Sequence, residues 1–463
     1  MDRFDVIVVG ARCAGAPLAT MLATQGVRVC VLDKAAFPSE VASTNIFQPN
    51  GLDVLRRLGL MDEVMAAGAH PVEKIIVRGT NAALTYCPDP AVSGQIMNIR
   101  RITLDAILVR AAARAGADVR TSSPVDGILT EGGRVVGVQT RSGPLYADLV
   151  VGADGRHSTV AKAVGAQEYL TVPGGRLPTW AYYEGANPSA DLFGGIVGNT
   201  AFLGGVSEND SFLLSVCVPT DQAGGFLTDR YVNFDAELPK FPELADAVRG
   251  ARRAGPLRVL QNWHSYFRTS AGAGWALVGD AGHFKDFTPG QGMSDAFRQA
   301  EHLAGRIVAG LDSGGLDSQL RQWWRWRDAD ALQMYWLASL IGEGYLPTAV
   351  IDAALERAAD HGYIERMLRV LSREVKPGAA LYPWQLPGMG WAVARGLLTQ
   401  PSQIPLAAKI MFTQARWIGK LAANHPRLPT GARRHRMLPA VARYALTADA
   451  SSSAAHVDTE ITA

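Results

Sequence analysis

Asp5-Val6-Ile7-Val8-Val9-Gly10-Ala11-Arg12-Cys13-Ala14-Gly15-Ala16-Pro17-Leu18 decides the fold of this chain. An apolar strand runs into a glycine-bearing turn, and the turn runs into a stretch with Leu18, Met21 and Leu22 on one helical face. Gly10 permits the tight turn, Gly15 lets helix and strand pack closely, and the free N–H groups at the helix start favour an anion such as a pyrophosphate. Arg12 replaces the middle glycine of the usual G-x-G-x-x-G pattern. That removes one close backbone approach and offers a guanidinium to a phosphate or to a bound ring. A second apolar strand, Val27 to Leu32, ends at Asp33, about where an acidic side chain takes ribose hydroxyls. Together these elements predict a bound dinucleotide. Asp33 disfavours a 2′-phosphate, and the adjacent Lys34 weighs the other way.

Outward from this unit, helical spacing around Gly51 to Leu58 completes a βαβ opening. The apolar run Ile75 to Val77 and the polar stretch to Gly94 interrupt the rhythm, which resumes with the helical pattern Leu104 to Ala115. Gly132-Gly133 marks a hairpin, and strand Leu149 to Val151 leads into Gly152-Ala153-Asp154-Gly155. From Ala166 to Trp263 the chain is rich in Gly, Pro, Thr and aromatics with short apolar runs, which predicts sheet rather than helices. Ala276 to Val278 returns to the first domain, and helices follow. The expected class is α/β: a Rossmann-like domain of 1–74, 97–165 and 265–335, and an inserted mixed β-sheet substrate domain of 75–96 and 166–264. A C-terminal helical region of 336–450 and a disordered tail of 451–463 complete it.

Lys+Arg of 45 against Asp+Glu of 43 gives a net charge of +2, which excludes a global field recruiting nucleic acid. The cysteines Cys13, Cys30, Cys87 and Cys217 form no CxxC pair and read as reduced, buried thiols of a cytoplasmic protein. Met1 to Asp5 lead straight into a strand, so no secretion signal is expected. The apolar stretches Trp336 to Ile341 and Ile404 to Phe412 are too short to span a membrane. The nine histidines show no HxH or HExxH spacing, and no metal is expected. Trp323-Trp324-Arg325-Trp326-Arg327 reads as helix packing. Trp384, Trp391 and Trp417, among Arg416, Lys420, Arg427, Arg433, Arg434 and Arg436, leave open an interfacial helix or apolar tunnel, and with it a peripheral membrane contact.

Four motifs then carry a resemblance. Asp148 to Ser158 and Trp275 to His283 are strands ending in Asp154-Gly155 and Gly279-Asp280; Pro289-Gly290-Gln291-Gly292-Met293-Ser294 precedes a helix; Arg101 opens another. With these motifs in order over about 1 to 165 and 265 to 330, the chain resembles the flavin-dependent aromatic hydroxylases, the single-component FAD monooxygenases of the p-hydroxybenzoate hydroxylase fold. The resemblance implies FAD. Gly10, Arg12, Ala14 and Gly15 would form its pyrophosphate turn, with Asp33 and Lys34 at the ribose and Val125 nearby. By the same resemblance Asp154 lies near the pyrophosphate and the nicotinamide path, Asp280 contacts the ribityl chain and phosphates, and Arg101 faces the phosphates. Amides of Gly290, Gln291 and Gly292, with Pro289 and Met293 beside them, would face the flavin's N1 and C2 carbonyl from a helix start.

The activity it implies is NAD(P)H-dependent monooxygenation. NADPH or NADH binds transiently and reduces FAD, molecular oxygen forms a C4a-hydroperoxide, and an aromatic or polycyclic apolar small molecule is hydroxylated or epoxidised. Ala271-Gly272-Ala273-Gly274 precedes a strand instead of following one, so no separate nicotinamide domain is implied. His283 and Lys285 after the return strand, and Arg268 before it, are the catalytic candidates, with His264, Tyr266 and Asp286 near them in sequence. Gly282, Lys285-Asp286 and Met293-Ser294 depart from the family pattern. They keep a second class open, a flavin-dependent reductase or dehydrogenase of an apolar, isoprenoid-like alkene. A flavin halogenase is less favoured, because the Trp-x-Trp-x-Ile-Pro segment is absent.

Overall fold

The computed structural model describes residues 3–361, 363–379, 386–409, 411–412 and 415. The quoted stretch folds into strand Arg3–Val9, helix Gly15–Ala23 and strand Val29–Leu32. Both faces of the first strand are covered, which is why it reads as a continuous apolar run. Val6 and Val8 pack with Leu18, Leu22 and Phe297 on one side, and Ile7 and Val9 pack with Cys30, Val150 and Leu277 on the other. The strand lies between Gly143–Gly152 and Val29–Leu32, parallel to both. Asp118–Arg120 and Trp275–Leu277 extend the two edges, also in parallel. Parallel strands carry their connections over the faces, so their carboxyl ends gather the loops at one rim, where ligands of such sheets bind. The hairpin Val125–Glu131 and Arg134–Thr140 turns through Gly132 and Gly133, both at positive φ as a tight hairpin turn requires.

The interruption after the opening unit is a sheet insertion. Strands Ile75–Arg78 and Ala83–Tyr86 complete a seven-stranded sheet with Arg252–Val259, Arg176–Glu184, Phe212–Pro219, Thr200–Val206 and Leu192–Val197. Strand Phe212–Pro219 is buried throughout, yet its side chains divide by the two-residue period. Phe212, Leu214, Val216 and Val218 enter one apolar core. Leu213, Ser215 and Cys217 line a large cavity on the opposite face. The outer core is closed by short helices Ala223–Thr228, Arg230–Glu237 and Pro242–Ala247, which correct the expectation of sheet alone across 166–263. Phe226, Phe234 and Leu244 of these helices, with Phe241 at the N-cap of the last, supply the apolar surface that a one-sided sheet lacks.

Helix Gly292–Ser313 stops at Gly314, whose φ of 67° gives the left-handed cap that glycine accommodates, and Leu316–Ile341 follows. The tryptophan cluster packs, as its sequence predicts. Trp323 is fully buried and donates from its indole to the Gln299 carbonyl at 3.2 Å, Trp324 donates to the Tyr169 hydroxyl at 2.8 Å, and Trp326 stacks on His302 with centroids 3.6 Å apart. Helices Thr348–His361, Tyr363–Leu371 and Leu386–Thr399 come next. Trp384, Trp417, the arginines and lysine from Arg416 onward and the expected disordered tail lie outside the described residues. Cys87 is exposed, which corrects the reading of four buried thiols; it stands just past the two-stranded insertion, away from either core. Among the described residues no helix is long and apolar enough to cross a membrane.

Phe212 is 1 % exposed and meets Phe193 edge-on at 5.9 Å. Phe212→Ala is expected to lower stability by about 3 to 5 kcal/mol through lost burial and the cavity left behind. Urea unfolding of both proteins checks this, and an unchanged midpoint would remove Phe212 from the folding core.

Candidate functional site

The glycine turn is pinched among three segments. A Cβ on Gly15 would stand 1.8 Å from the Gly10 carbonyl oxygen, and one on Gly10, at φ +102°, would stand 2.4 Å from the Ala153 carbonyl oxygen. Asp33, at the end of the second strand, accepts from the amides of Ala11 and Ala35 at 2.8 Å each. The acid therefore fixes the turn from behind while it lines the cavity. Hydrogen bonds to a charged acceptor are worth about 1.5 to 3 kcal/mol each, so this carboxylate is a principal brace of the turn.

That turn opens into a continuous cavity of about 2050 Å³. A pocket for one drug-sized ligand takes roughly 300 to 1,000 Å³; this one has room for a dinucleotide and a second bulky molecule. Gly10, Arg12, Ala14, Asp33, Lys34, Arg101, Val125, Asp154, Gly279 and Asp280 line its polar end. His283, Lys285, Pro289, Gly292 and Met293 line the middle of the chain's return path. Trp180, Leu203, Leu213, Leu346, Ile351 and Met367 are among the apolar side chains of the remaining wall, contributed by the seven-stranded sheet, the C-terminal helices and the loop before Thr348.

Several expected side chains are committed elsewhere. Arg12 donates to Asp105 at 2.9 Å and to Ser39 through the carbonyl at 3.2 Å and the hydroxyl at 2.8 Å, so its guanidinium is held on protein acceptors instead of being free for a phosphate. Arg101 makes a bidentate pair with the same Asp105, both bonds at 2.9 Å. Asp105, whose side chain has no exposure, is the residue that sequence reasoning missed. Its only signal is the i, i+4 spacing from Arg101. Asp154 caps the helix Thr159–Ala163, accepting from Ser158 Oγ and from the amides of Thr159 at 2.7 Å and Val160 at 3.3 Å. Arg268 lies off the cavity: it pairs with Glu168 at 2.7 Å and donates to the Ala281 and Arg156 carbonyls at 3.0 and 3.1 Å. Gly290 and Gln291 also stand behind the cavity wall, Gly290 against Ile46 and Gln291 donating to the Leu371 carbonyl.

Toward helix Gly292–Ser313 the cavity meets open backbone. A Cβ added to Gly292 meets nothing within 4 Å, so ligand can approach the backbone at the start of helix Gly292–Ser313. There unpaired helix amides present partial positive charge. His283 Nε2 and Gln48 Oε1 are buried with no hydrogen-bond partner, and both residues line the cavity. Burial, reinforced by the Arg327 and Lys285 cations, drives His283 well below the usual imidazole range, so it is neutral at physiological pH. Lys285 pairs with Asp295, which Arg373 also holds at 2.7 Å. Burial pulls Lys285 down to about 8 against the attraction of Asp295. Burial also works on Asp295, but the cations of Arg373 and Lys285 overcome it and keep that carboxyl well below its ordinary range. Asp280 is raised to about 6 by burial, against the pull of Arg101. The Arg373–Asp295 pair joins positions 78 apart, and no sequence pattern announces it. Among the described residues no cluster of three or more His, Cys, Asp or Glu could hold a metal.

Residues 3–177 match the FAD binding domain family. The FixC protein of Salmonella typhi is 29% identical over 236 residues, 46% of this chain and 54% of that one. The rifampicin monooxygenase of Rhodococcus hoagii is 32% identical over 162 residues, covering 34% of this chain and 33% of that one. The chain thus spans about half or less of the length of these relatives. The solved structure of the flavin-dependent brominase Bmp2 superposes with a TM-score of 0.67 at 18% identity, over 80% of this chain and 94% of that one. The fold is that of flavin-dependent halogenases and monooxygenases.

Asp286 lines the cavity beside Lys285, bonded to the Thr288 amide at 2.9 Å, and burial pushes its carboxyl up to about 6 from 3.8. Between those values the folded protein binds more protons than the unfolded chain, so stability falls as pH rises from about 4 to about 6, by up to about 3 kcal/mol. Asp286→Asn is expected to flatten that slope in melting curves taken across the window. Identical slopes for both proteins would contradict the assignment.

Proposed function

With an FAD binding domain in residues 3–177 and the fold of flavin-dependent enzymes as premise, we propose that the protein is an NAD(P)H-dependent FAD monooxygenase acting on a bulky apolar small molecule. The observation that carries the reading is the continuity of one cavity from the glycine turn to an apolar chamber. Gly10, Gly15 and Asp33 would hold the pyrophosphate and ribose; Arg101, anchored on Asp105, adds positive charge at the phosphates. Gly292, Met293 and His283 would receive the ring system. Bound there, FAD supplies two-electron redox chemistry, drawing on NADPH or NADH as transient donor and on molecular oxygen.

The chain's own contribution is to orient, to keep dry and to move protons. Trp180, Leu203, Leu213 and Ile351 exclude water from the substrate chamber, which strengthens every polar contact made inside it. Lys285 Nζ, with its affinity for protons brought near neutrality, is suited to exchange one at the chamber's polar edge. Neutral His283 offers Nε2 as an unused hydrogen-bonding atom beside it. A peripheral membrane contact through the C-terminal region belongs to the same reading. The aliphatic character of the chamber also suits reduction of an isoprenoid-like alkene. Oxygen separates the two readings.

Two measurements test this. Asp33→Ala removes the bond to the Ala11 amide of the turn, the local bond to the Ala35 amide and the ribose acceptor, and FAD affinity measured by flavin fluorescence should drop by about tenfold or more. Unchanged affinity would dismiss Asp33 from the site. The reduced enzyme, mixed with isotopically labelled oxygen and a panel of polycyclic and isoprenoid compounds, should yield product carrying one labelled oxygen atom. Reduced flavin that survives oxygen for minutes yet passes its electrons to an alkene would replace monooxygenase by reductase.

A further inference from the structure

We propose that the segment from Leu386 to Phe412 docks on an anionic lipid surface, with the apolar chamber opening toward that surface so that substrate enters from lipid. The inference rests on the reading above that the chamber takes an apolar molecule. Among the described residues, large hydrophobic side chains left exposed are few, and five of them crowd into this segment: Trp391, Leu398, Ile404, Met411 and Phe412, at 69, 70, 46, 68 and 70 % exposure. Isolated exposed apolar residues need no explanation, but a patch of this kind marks an interaction surface.

The same segment forms part of the cavity. Leu397, Ala407 and Met411 line it, so Leu397 and Leu398 stand side by side in the chain with one on the chamber and the other in solvent, and Met411 does both. The segment that carries the exposed side chains is therefore also part of the chamber's wall.

Charge selects the partner. From Val375 to Ala448 the sequence holds ten lysines and arginines and no aspartate or glutamate, which leaves the rest of the chain with 35 basic and 43 acidic residues. Arg395, exposed on the helix Leu386–Thr399, brings one of those cations beside the apolar patch. A segment whose sequence carries basic residues and no acidic ones, with exposed apolar side chains on it, has the chemistry of a surface helix on an anionic bilayer, where the apolar face enters the acyl boundary and the cations meet the headgroups. A lipid surface is also the phase in which a bulky apolar substrate is concentrated.

The test uses the full chain loaded with FAD. It is sedimented with vesicles of phosphatidylcholine alone and of phosphatidylcholine containing phosphatidylglycerol, at low and high salt, beside the triple variant Trp391→Glu, Leu398→Glu, Phe412→Glu. None of these three residues lines the cavity, so flavin absorbance and melting temperature should match the parent. The parent should pellet with the phosphatidylglycerol vesicles, be released by salt, and lose at least about tenfold of that affinity in the variant. Failure to pellet with these vesicles, or equal pelleting of the variant, overturns the proposal. Self-association that the variant abolishes, without vesicle binding, assigns the patch to a second copy and overturns it as well. Normal FAD binding and turnover of detergent-dispersed substrate without vesicle binding would sink the docking alone, whereas loss of FAD binding would sink the reading beneath it.

Discussion

The absence of side-chain atoms at Gly10 and Gly15 is the constraint on which the rest of the structure depends. Three segments, the end of Arg3–Val9, the start of Gly15–Ala23 and the loop at Ala153, meet where a single added methyl would fall 1.8 to 2.4 Å from a carbonyl oxygen. No larger residue fits without driving helix from strand. Because they meet, the parallel sheet, its covering helix and the loop after Gly143–Gly152 share one rim, and the cavity begins there. The seven-stranded sheet then needs only to present one face to that rim. The two-residue period of Phe212–Pro219 does so, giving even positions to the outer core and odd ones to the cavity.

Buried charge fixes the side chains around this opening. Asp105 gathers Arg12 and Arg101, and Asp295 gathers Lys285 and Arg373. Removing one partner of such a buried set leaves an uncompensated charge, a loss of about 3 to 5 kcal/mol. The second set also ties the C-terminal helices to the start of Gly292–Ser313, since Arg373 follows helix Tyr363–Leu371 and Gln291 donates to the Leu371 carbonyl. The wall of the apolar chamber and the start of helix Gly292–Ser313 are thereby held by one network.

The opening βαβ unit was legible because its signals are local: an apolar run, two glycines, a helical face and an acid fall within 33 residues. The sheet insertion at Ile75–Arg78 was legible as a break in rhythm, though its partner Leu192–Val197 was not, since pairing across more than a hundred residues leaves no periodic trace. The short helices over the outer sheet were missed because Gly224, Gly225 and Pro242 make that stretch resemble loop and strand, and tertiary packing overrides the propensity. At the site, position was readable and engagement was not. Arg12 and Asp154 stand on the cavity as their motifs place them, yet their polar atoms are spent on Ser39, Asp105 and the helix at Thr159, choices made by folded neighbours. Arg268 stands near the return strand in sequence, but its pairing with Glu168 and its bonds to the Ala281 and Arg156 carbonyls hold it off the cavity.

The central claim is that one cavity holds both FAD and an apolar second molecule. Its most direct measurement is titration of the FAD-loaded protein with a fluorescent polycyclic hydrocarbon while the flavin absorbance and the energy transfer between the two are followed. The account predicts saturable binding of one molecule that perturbs the flavin band and transfers energy at short range. Saturable binding with an unperturbed flavin and no transfer would place the two molecules in separate sites and contradict it.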